Sequence, residues 1–249
     1  MFFRKEVEIE EPIIDFHVHL IPGVDDGAAS MGDAIEMARL LCDNGVSTAV
    51  ATPHFVSNTD CFGPEYISHV KHQYVRLVEQ IKEENIPLKL LQGFEVHASE
   101  DMMYYESFDE LTVDGTKYIL IEVPFGGEVP WLEDFVYTLQ IKKVKPIIVH
   151  PERCSCLGNN LARLQELASS GVILQLNAGS IYGLYGRTIQ RIALNIIKMK
   201  EAKLIFGSDA HNTKHAKLIQ EYLVCIIKLA KGVDMNRFLS LNARSLLAE

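Results

Sequence analysis

The sequence predicts an α/β fold built on a parallel sheet, and three observations predict it. Short β-branched or aliphatic runs alternate with segments of helical periodicity. The alternation recurs at a spacing of roughly 25 to 40 residues, the pattern of βαβ units. Polar residues gather at one end of the apolar runs, where functional groups collect in parallel α/β folds. No linker or low-complexity stretch divides the 249 residues. Residues 1–249 are therefore expected to form a single domain, with 1–12 as an N-terminal extension; α/β barrels of this length are commonly one unit.

Seven strands are expected: Ile13–Phe16, Val46–Ala51, Leu88–Gly93, Tyr118–Val123, Pro146–Val149, Val172–Leu176 and Lys203–Phe206. Between them, Met31–Asn44 reads as a helix opened by Ser30, with Asp33 three residues on as a variant capping box. Gly45 stands where a glycine ends such a helix. Further helical periodicity covers roughly Pro64–Glu84, Pro130–Lys143, Asn160–Ser169, Arg187–Lys200, Lys214–Lys231 and Asp234–Ala248. The last is amphipathic and is expected to close the end of the barrel.

Composition narrows the function classes. Apolar residues make up 48% of the chain, ample for a sizeable core, and the net charge is −9. That charge argues against nucleic acid or an anionic membrane as the main partner; acids converging on one site would instead call for a cation. Five cysteines show no framework spacing, and Cys154-x-Cys156 lacks a second pair to complete a tetrahedral site. No signal-peptide core or membrane-length apolar run is visible. A cytoplasmic protein with reduced thiols is the expectation.

The strand ends carry the chemistry. Strand one ends in His17 and His19, strand two in ATPH with His54, and strand three in QGFEVH with Glu95. Strand four, YILIEV, carries Glu122; strand five ends in IIVHPER with His150; strand seven ends in IFGSDAH with Asp209 and His211. A lone histidine on an apolar strand is ordinarily a satisfied core residue. Six strands delivering imidazole or carboxylate at the same end point instead to a shared site. Carboxylates packed there would repel one another, and metal cations resolve that conflict. Residues i and i+2 of a strand face the same way, so His17 and His19 reach one ion, and Asp209 and His211 repeat the spacing. The Asp25-Asp26-Gly27 turn adds a carboxylate beside them. Imidazole with carboxylate and no thiolate favours manganese, iron or zinc in an open site. Two or more such ions can share a hydroxide and clamp the attacking and leaving oxygens of a hydrolysis.

In order along the chain, DFHVHLIPGVDDG, ATPH, GFE, LIE, HPER and GSDAHN resemble the signatures of the polymerase and histidinol phosphatase (PHP) superfamily. More narrowly, the chain resembles its manganese-dependent protein-tyrosine phosphatases of bacterial capsule and exopolysaccharide synthesis, from about Ile13 to the C-terminus. The resemblance implies a distorted (β/α)7 TIM-like barrel and up to three divalent ions, Mn2+ foremost, with Fe or Zn as alternatives. The implied ligands are His17, His19, Asp26, His54, Glu95, Glu122, His150, Asp209 and His211, with Glu95 bridging. Arg153 of HPER would bind the substrate phosphate, His211 or His54 could protonate a leaving group, and Asp15 would support the first histidines from behind. The implied reaction is attack of a metal-activated hydroxide on phosphotyrosine in a protein, the tail of a bacterial tyrosine kinase. After SDAHN the family often carries an arginine followed by proline. This chain reads TKHAK there, leaving Lys214, His215 or Lys217 for a second phosphate contact.

Rival readings are distinguishable. A cysteine phosphatase needs a thiolate with an arginine after five residues, and Cys156 to Arg163 has six intervening residues. A histidinol-phosphate or other small-molecule phosphatase of the same superfamily shares the ligand pattern. An amidohydrolase barrel commonly bridges its ions with a lysine where this chain has Glu122. A non-catalytic regulatory module would keep the metal and lose turnover. His69 and His72 are expected to be solvated, and His97 to be structural or a substrate contact. Phe55, Phe125, Trp131, Tyr182 and Tyr185 fall in expected loops where an aromatic ring could stack.

Overall fold

The computed structural model describes residues 11–248, so all but the last two residues of the expected N-terminal extension lie outside the described residues. In chain order the elements begin with β1 Ile13–Val18, α1 Met31–Asp43, β2 Val46–Ala51, β3 His54–Phe55, α2 Gly63–Glu83, β4 Lys89–Gln92, β5 Glu95–His97 and β6 Tyr118–Glu122. They continue with α3 Leu132–Ile141, β7 Lys145–Val149, α4 Ser155–Gly158, α5 Leu161–Ser169, β8 Ile173–Asn177, α6 Ala178–Tyr182 and α7 Arg187–Ile196. The last are β9 Leu204–Gly207, α8 Thr213–Lys217, α9 Ile219–Leu229 and α10 Asn242–Leu247. Every strand pairing is parallel.

All seven expected strand regions are present, and two short strands outside the expected bounds, β3 and β5, follow the second and the third after a break. Pro53 has no N–H to continue the ladder after β2, and Gly93 divides β4 from β5 where a Cβ would lie 3.1 Å from Val113. The breaks let one chain path serve two sheets, ordered β1-β2-β4 and β3-β5-β6-β7-β8-β9. The crossing keeps its hydrogen bonds: Thr52 N–H donates to the Val18 carbonyl at 3.0 Å, and Glu95 N–H to the Pro53 carbonyl at 2.9 Å. At the other edge, Asp209 N–H donates to the His17 carbonyl at 2.8 Å and His19 N–H to the Ala210 carbonyl at 3.1 Å. The end of β9 thus lies beside β1.

Two apolar clusters fill this frame. The inner one gathers Ile14 and Phe16 of β1, Val50 of β2, Leu120 of β6, Ile147 and Val149 of β7, Ile173 of β8 and Ile205 of β9. Ala243 and Leu246 of α10 pack into the same cluster, so the amphipathic C-terminal segment closes that end as its pattern predicts. The larger cluster lies between the strands' other faces and the helices, with Ala34, Met37, Ala38 and Leu41 of α1 among its members. This two-layer burial is that of a distorted (β/α) barrel.

Helix ends follow local chemistry. Asp33 N–H donates to Ser30 Oγ at 3.2 Å, and Ser30 Oγ donates to Asp33 Oδ2 at 2.7 Å. Gly45 takes φ 90° just beyond the helix. The expected helix Lys214–Lys231 is instead two, because Leu218 N–H bonds back only three residues, to His215 at 3.1 Å, and the tightened turn ends α8. The expected helix Asp234–Ala248 is likewise interrupted: Arg237–Leu241 is a π-helical turn, and α10 follows it. The wider turn leaves Phe238 edge-on to Phe206 of β9 at 6.2 Å. No helix among the described residues is long and apolar enough to cross a membrane.

Candidate metal centre

β1 carries a register shift between Asp15 and Val18, an irregularity of the kind that re-aims side chains at sheet ends. Asp15 is buried there, and its Oδ1 accepts from His17 N–H at 3.2 Å and Ser208 N–H at 2.9 Å. Burial pushes this carboxyl's pKa up to about 6 despite those bonds. Asp15 therefore pins the backbones of β1 and β9 together and does not touch the imidazoles, the supporting position expected of it.

The two β1 histidines each have one ring nitrogen fixed from behind and the other turned inward. His17 Nδ1 meets Gln175 Oε1 at 3.0 Å, and His19 Nδ1 meets Asp25 Oδ2 at 2.8 Å. An acceptor at Nδ1 leaves a lone pair at Nε2, the arrangement that orients metal-binding histidines. The two Nε2 atoms face each other at 3.2 Å. Gly27 makes the close approach of the Asp25 turn possible, since a Cβ there would lie 2.5 Å from His19 Cβ.

Glu95, at the start of β5, is the hub. Its Oε1 accepts from His150 Nε2 at 2.8 Å. Its Oε2 lies 3.2 Å from His17 Nε2, 3.3 Å from His19 Nε2 and 3.0 Å from His54 Nδ1, yet it is buried without an aligned hydrogen bond. Burial would raise this carboxyl's pKa, but the charge of His17 and the bond to His150 outweigh it and hold Glu95 well below the usual range.

The remaining expected residues ring this hub. His54, on β3, lies 3.3 Å from Asp26 Oδ1, and His211 Nε2 lies 3.5 Å from the same oxygen. Asp26 is an exposed side chain turned towards these two rings, whereas Asp25 is spent on His19, Gly27 N–H and His54 N–H. His211 stacks on His19 with centroids 3.8 Å apart and donates from Nδ1 to the Asp209 carbonyl at 2.9 Å. Glu122 Oε2 meets His97 Nδ1 at 2.9 Å, and its Oε1 stands 3.9 Å from His150. His150 and Asp209 both adopt left-handed backbone, with φ 33° and 53°. Such conformations in non-glycine residues cost about 1–3 kcal/mol and concentrate at functional sites.

Asp209 joins the centre to its rim. Its Oδ1 lies 3.6 Å from His17 and 3.5 Å from His19, while Oδ2 accepts from Asn177 Nδ2 at 2.6 Å and Arg153 Nη1 at 2.9 Å. The Arg153 guanidinium is held between Phe125 and Tyr185, each ring centroid 4.4 Å away. The three substitutes for the second arginine are now separated. Lys217 reaches Glu36 of α1 at 3.1 Å, Lys214 is exposed, and His215 lies edge-on to His211 at 6.3 Å. The open cleft beside Asp26, His54 and Glu122 measures about 470 Å³. A larger cavity, about 680 Å³ between Ile227 and Asn236, is lined by neither imidazole nor carboxylate.

Three overlapping sets have ligand atoms close enough to hold a cation: His19, Asp26, His54 and His211; His17, His19 and Glu95; and His54, Glu95 and Glu122. His150 and Asp209 border them through Glu95 and the β1 imidazoles. Asp25, from the turn expected to add a carboxylate, braces His19, and His97, expected to be structural or a substrate contact, pairs with Glu122; sequence spacing missed two supporting residues, Gln175 and Asn177. Gln175 and Asn177 end β8, the one of the seven expected strands whose end delivers neither imidazole nor carboxylate, and Gln175 Nε2 donates to Asn177 Oδ1 at 2.9 Å. Two polar residues at i and i+2 closing an apolar run were the available signal, the same one that marked His17 and His19. His69 and His72 are exposed, as expected, and Phe55 is buried. Phe125 and Tyr185 flank Arg153, while Tyr182 packs on Tyr222 at 5.1 Å and Trp131 on Phe135 at 6.3 Å.

Known proteins share this architecture. The family model for capsular polysaccharide synthesis, CpsB/CapC, matches residues 13–248. Tyrosine-protein phosphatase YwqE of Bacillus subtilis strain 168 is 33% identical over 241 residues, 94% of this chain and 91% of that protein. A crystal structure from the set of YwqE of Bacillus subtilis and CpsB of Streptococcus pneumoniae, described as unique metal-dependent tyrosine phosphatases, superposes with a TM-score of 0.80. It is 30% identical and covers 95% of this chain and 94% of its own. Histidinol phosphate phosphatase from Lactococcus lactis, complexed with zinc, L-histidinol and phosphate, gives a TM-score of 0.58 at 12% identity, over 88% of this chain and 94% of that one; at that identity the likeness concerns fold.

Proposed function

This chain belongs to the CpsB/CapC family of capsular polysaccharide synthesis, and from that premise we propose that it is a metal-dependent phosphatase that hydrolyses phosphotyrosine in proteins. One observation carries the reading: the buried, unaligned Glu95 Oε2 ringed by nitrogens of His17, His19 and His54 at 3.0–3.3 Å. An anionic oxygen so placed among imidazole nitrogens suits a site that would hold divalent cations. His17, His19, Asp26, His54, Glu95, Glu122, His150, Asp209 and His211 would hold the ions, with manganese first and iron or zinc as alternatives for such a ligand set. The bound ions would supply Lewis acidity that activates water and neutralises phosphoryl charge.

The chain's own residues do the rest. Arg153 is preset by Asp209 and by the two flanking rings, so its unengaged guanidinium nitrogens can receive a phosphoryl oxygen with little loss of side-chain freedom. Phe125 and Tyr185 give the substrate ring an apolar flank. Phenolate leaves with a pKa of about 10, so strong protonation is not required; His54 or His211 would provide it only where its ring is not engaged by an ion. The substrate we infer is the tyrosine-rich tail of a bacterial kinase of capsule or exopolysaccharide synthesis, met in the cytoplasm.

Purified protein stripped of metal should not turn over p-nitrophenyl phosphate or a phosphotyrosine peptide, and manganese should restore both. His150→Ala should abolish turnover. Arg153→Ala should raise KM about 10- to 100-fold, the worth of a charge-assisted hydrogen bond of about 1.5–3 kcal/mol. Efficient hydrolysis of histidinol phosphate with none of phosphotyrosine would move the chain to the small-molecule branch. Bound metal without turnover of any phosphoester would make it a regulatory module.

A further inference from the structure

The sulfurs of Cys154 and Cys156 lie 3.2 Å apart, directly after Arg153. No other pair of sulfurs among the described residues comes within hydrogen-bonding reach. Cys154 is 2% exposed, whereas Cys156 is partly exposed. Cys154 Sγ also donates to the Pro124 carbonyl at 3.1 Å, and Ser155 N–H donates to the Phe125 carbonyl at 2.9 Å. These two bonds tie the 124–125 segment to the start of α4, and Phe125 is the ring that covers Arg153. The dithiol therefore sits in the strap over the rim arginine.

We propose that Cys154 and Cys156 form a peroxide-responsive modification site that closes an intrachain disulfide and loosens this strap. Cys156, the reachable sulfur, attacks the O–O bond of a hydroperoxide as thiolate and becomes a sulfenic acid, releasing hydroxide or alkoxide. Burial pushes the Cys154 thiol up to about 12, so Cys156 is the sulfur that reacts first, and its sulfenic sulfur then forms already beside Cys154. Cys154 sulfur bonds to Cys156 sulfur, the S–O bond breaks, and the Cys154 proton leaves with the hydroxide as water. In sum, two thiols and one hydrogen peroxide give one disulfide and two waters, the sulfurs supplying both electrons. A disulfide has no S–H, so the Pro124 carbonyl loses its thiol donor, and of the two hydrogen bonds only that of Ser155 N–H to Phe125 remains.

The test uses the whole folded protein with and without hydrogen peroxide, followed by iodoacetamide and trypsin. Cleavage after Arg153 and Arg163 releases the peptide 154–163, which holds both cysteines. Untreated protein should give this peptide with two blocked thiols. Oxidised protein should give it unblocked and two hydrogens lighter, and dithiothreitol should reverse the change. Trp131, the chain's single tryptophan, ends the same loop, so its emission should shift on oxidation and return on reduction. In Cys156→Ser, and independently in Cys154→Ser, peroxide should leave that emission unchanged. Three results overturn the proposal: oxidation of Cys42, Cys61 or Cys225 while 154–163 keeps both thiols, gain of oxygen by that peptide without loss of hydrogen, or a disulfide that leaves Trp131 emission unmoved. None of these readouts depends on phosphatase activity.

Discussion

His17 is the residue on which the electrostatics of the centre turn. Burial alone would strip its proton, but Glu95 and Asp209 outweigh burial and hold its pKa at about 9, against 6.5 ordinarily. A group raised on folding lends stability that is complete below its unfolded pKa and lost as pH rises through the folded one. Chelator-treated protein should therefore lose thermal stability from about pH 6.5 to 9, a window set by that shift. Protein loaded with manganese should show a flatter profile, because a cation replaces the proton. Melting curves across this window check the claim, and an unchanging midpoint in the chelated protein would sink it. Gly207 makes a second argument at this scale. A Cβ there would lie 2.8 Å from both His17 Cβ and Gln175 Cδ, so Gly207→Ala should cost about 1–3 kcal/mol, as overpacking does. Urea unfolding measures the loss, and titration calorimetry should show weaker metal binding in the same variant.

β8 makes the case at the scale of the element. Its apolar residues were legible, but its role was not, because amides do not announce a metal site. In the fold, Gln175 fixes the His17 ring at 3.0 Å, and Asn177 donates to Asp209 at 2.6 Å. Removing such a partner from behind a ligand typically costs about 10- to 100-fold in metal affinity. Gln175→Ala and Asn177→Ala should each show that loss in a competition titration with a metal indicator, with far-ultraviolet circular dichroism unchanged. Unaltered affinity in both would leave β8 a purely structural strand. The division of β2 from β3 belongs here too: Pro53 predicts a break in the ladder, but nothing local says that the chain resumes pairing in a different sheet.

The whole molecule brings together acids that folding alone would keep apart. Glu95, Glu122, Asp26 and Asp209 converge from β5, from β6, from the loop after β1 and from the end of β9. Their repulsion is met by protonated imidazoles or by cations. A ligand that binds only the folded state stabilises it by about 2.7 kcal/mol at a hundred times its Kd. Manganese at that excess should raise the melting temperature by several degrees, and magnesium, which prefers oxygen ligands, should raise it less. Equal shifts with both ions would argue against an imidazole-rich site.

Alternation of apolar runs with helical periodicity determined the α/β class, and residues two apart at the strand ends determined which face His17, His19, Glu95 and Asp209 would share. Those features are local, because strand geometry sends i and i+2 the same way whatever the rest of the chain does. Only the tertiary structure decided that Asp25 braces His19 while Asp26 faces the open site, that Gln175 and Asn177 stand behind the centre, and that Arg153 pairs with Asp209 between two rings. Each of those depends on loop path and on register between strands distant in sequence, and spacing along one strand carries no information about either.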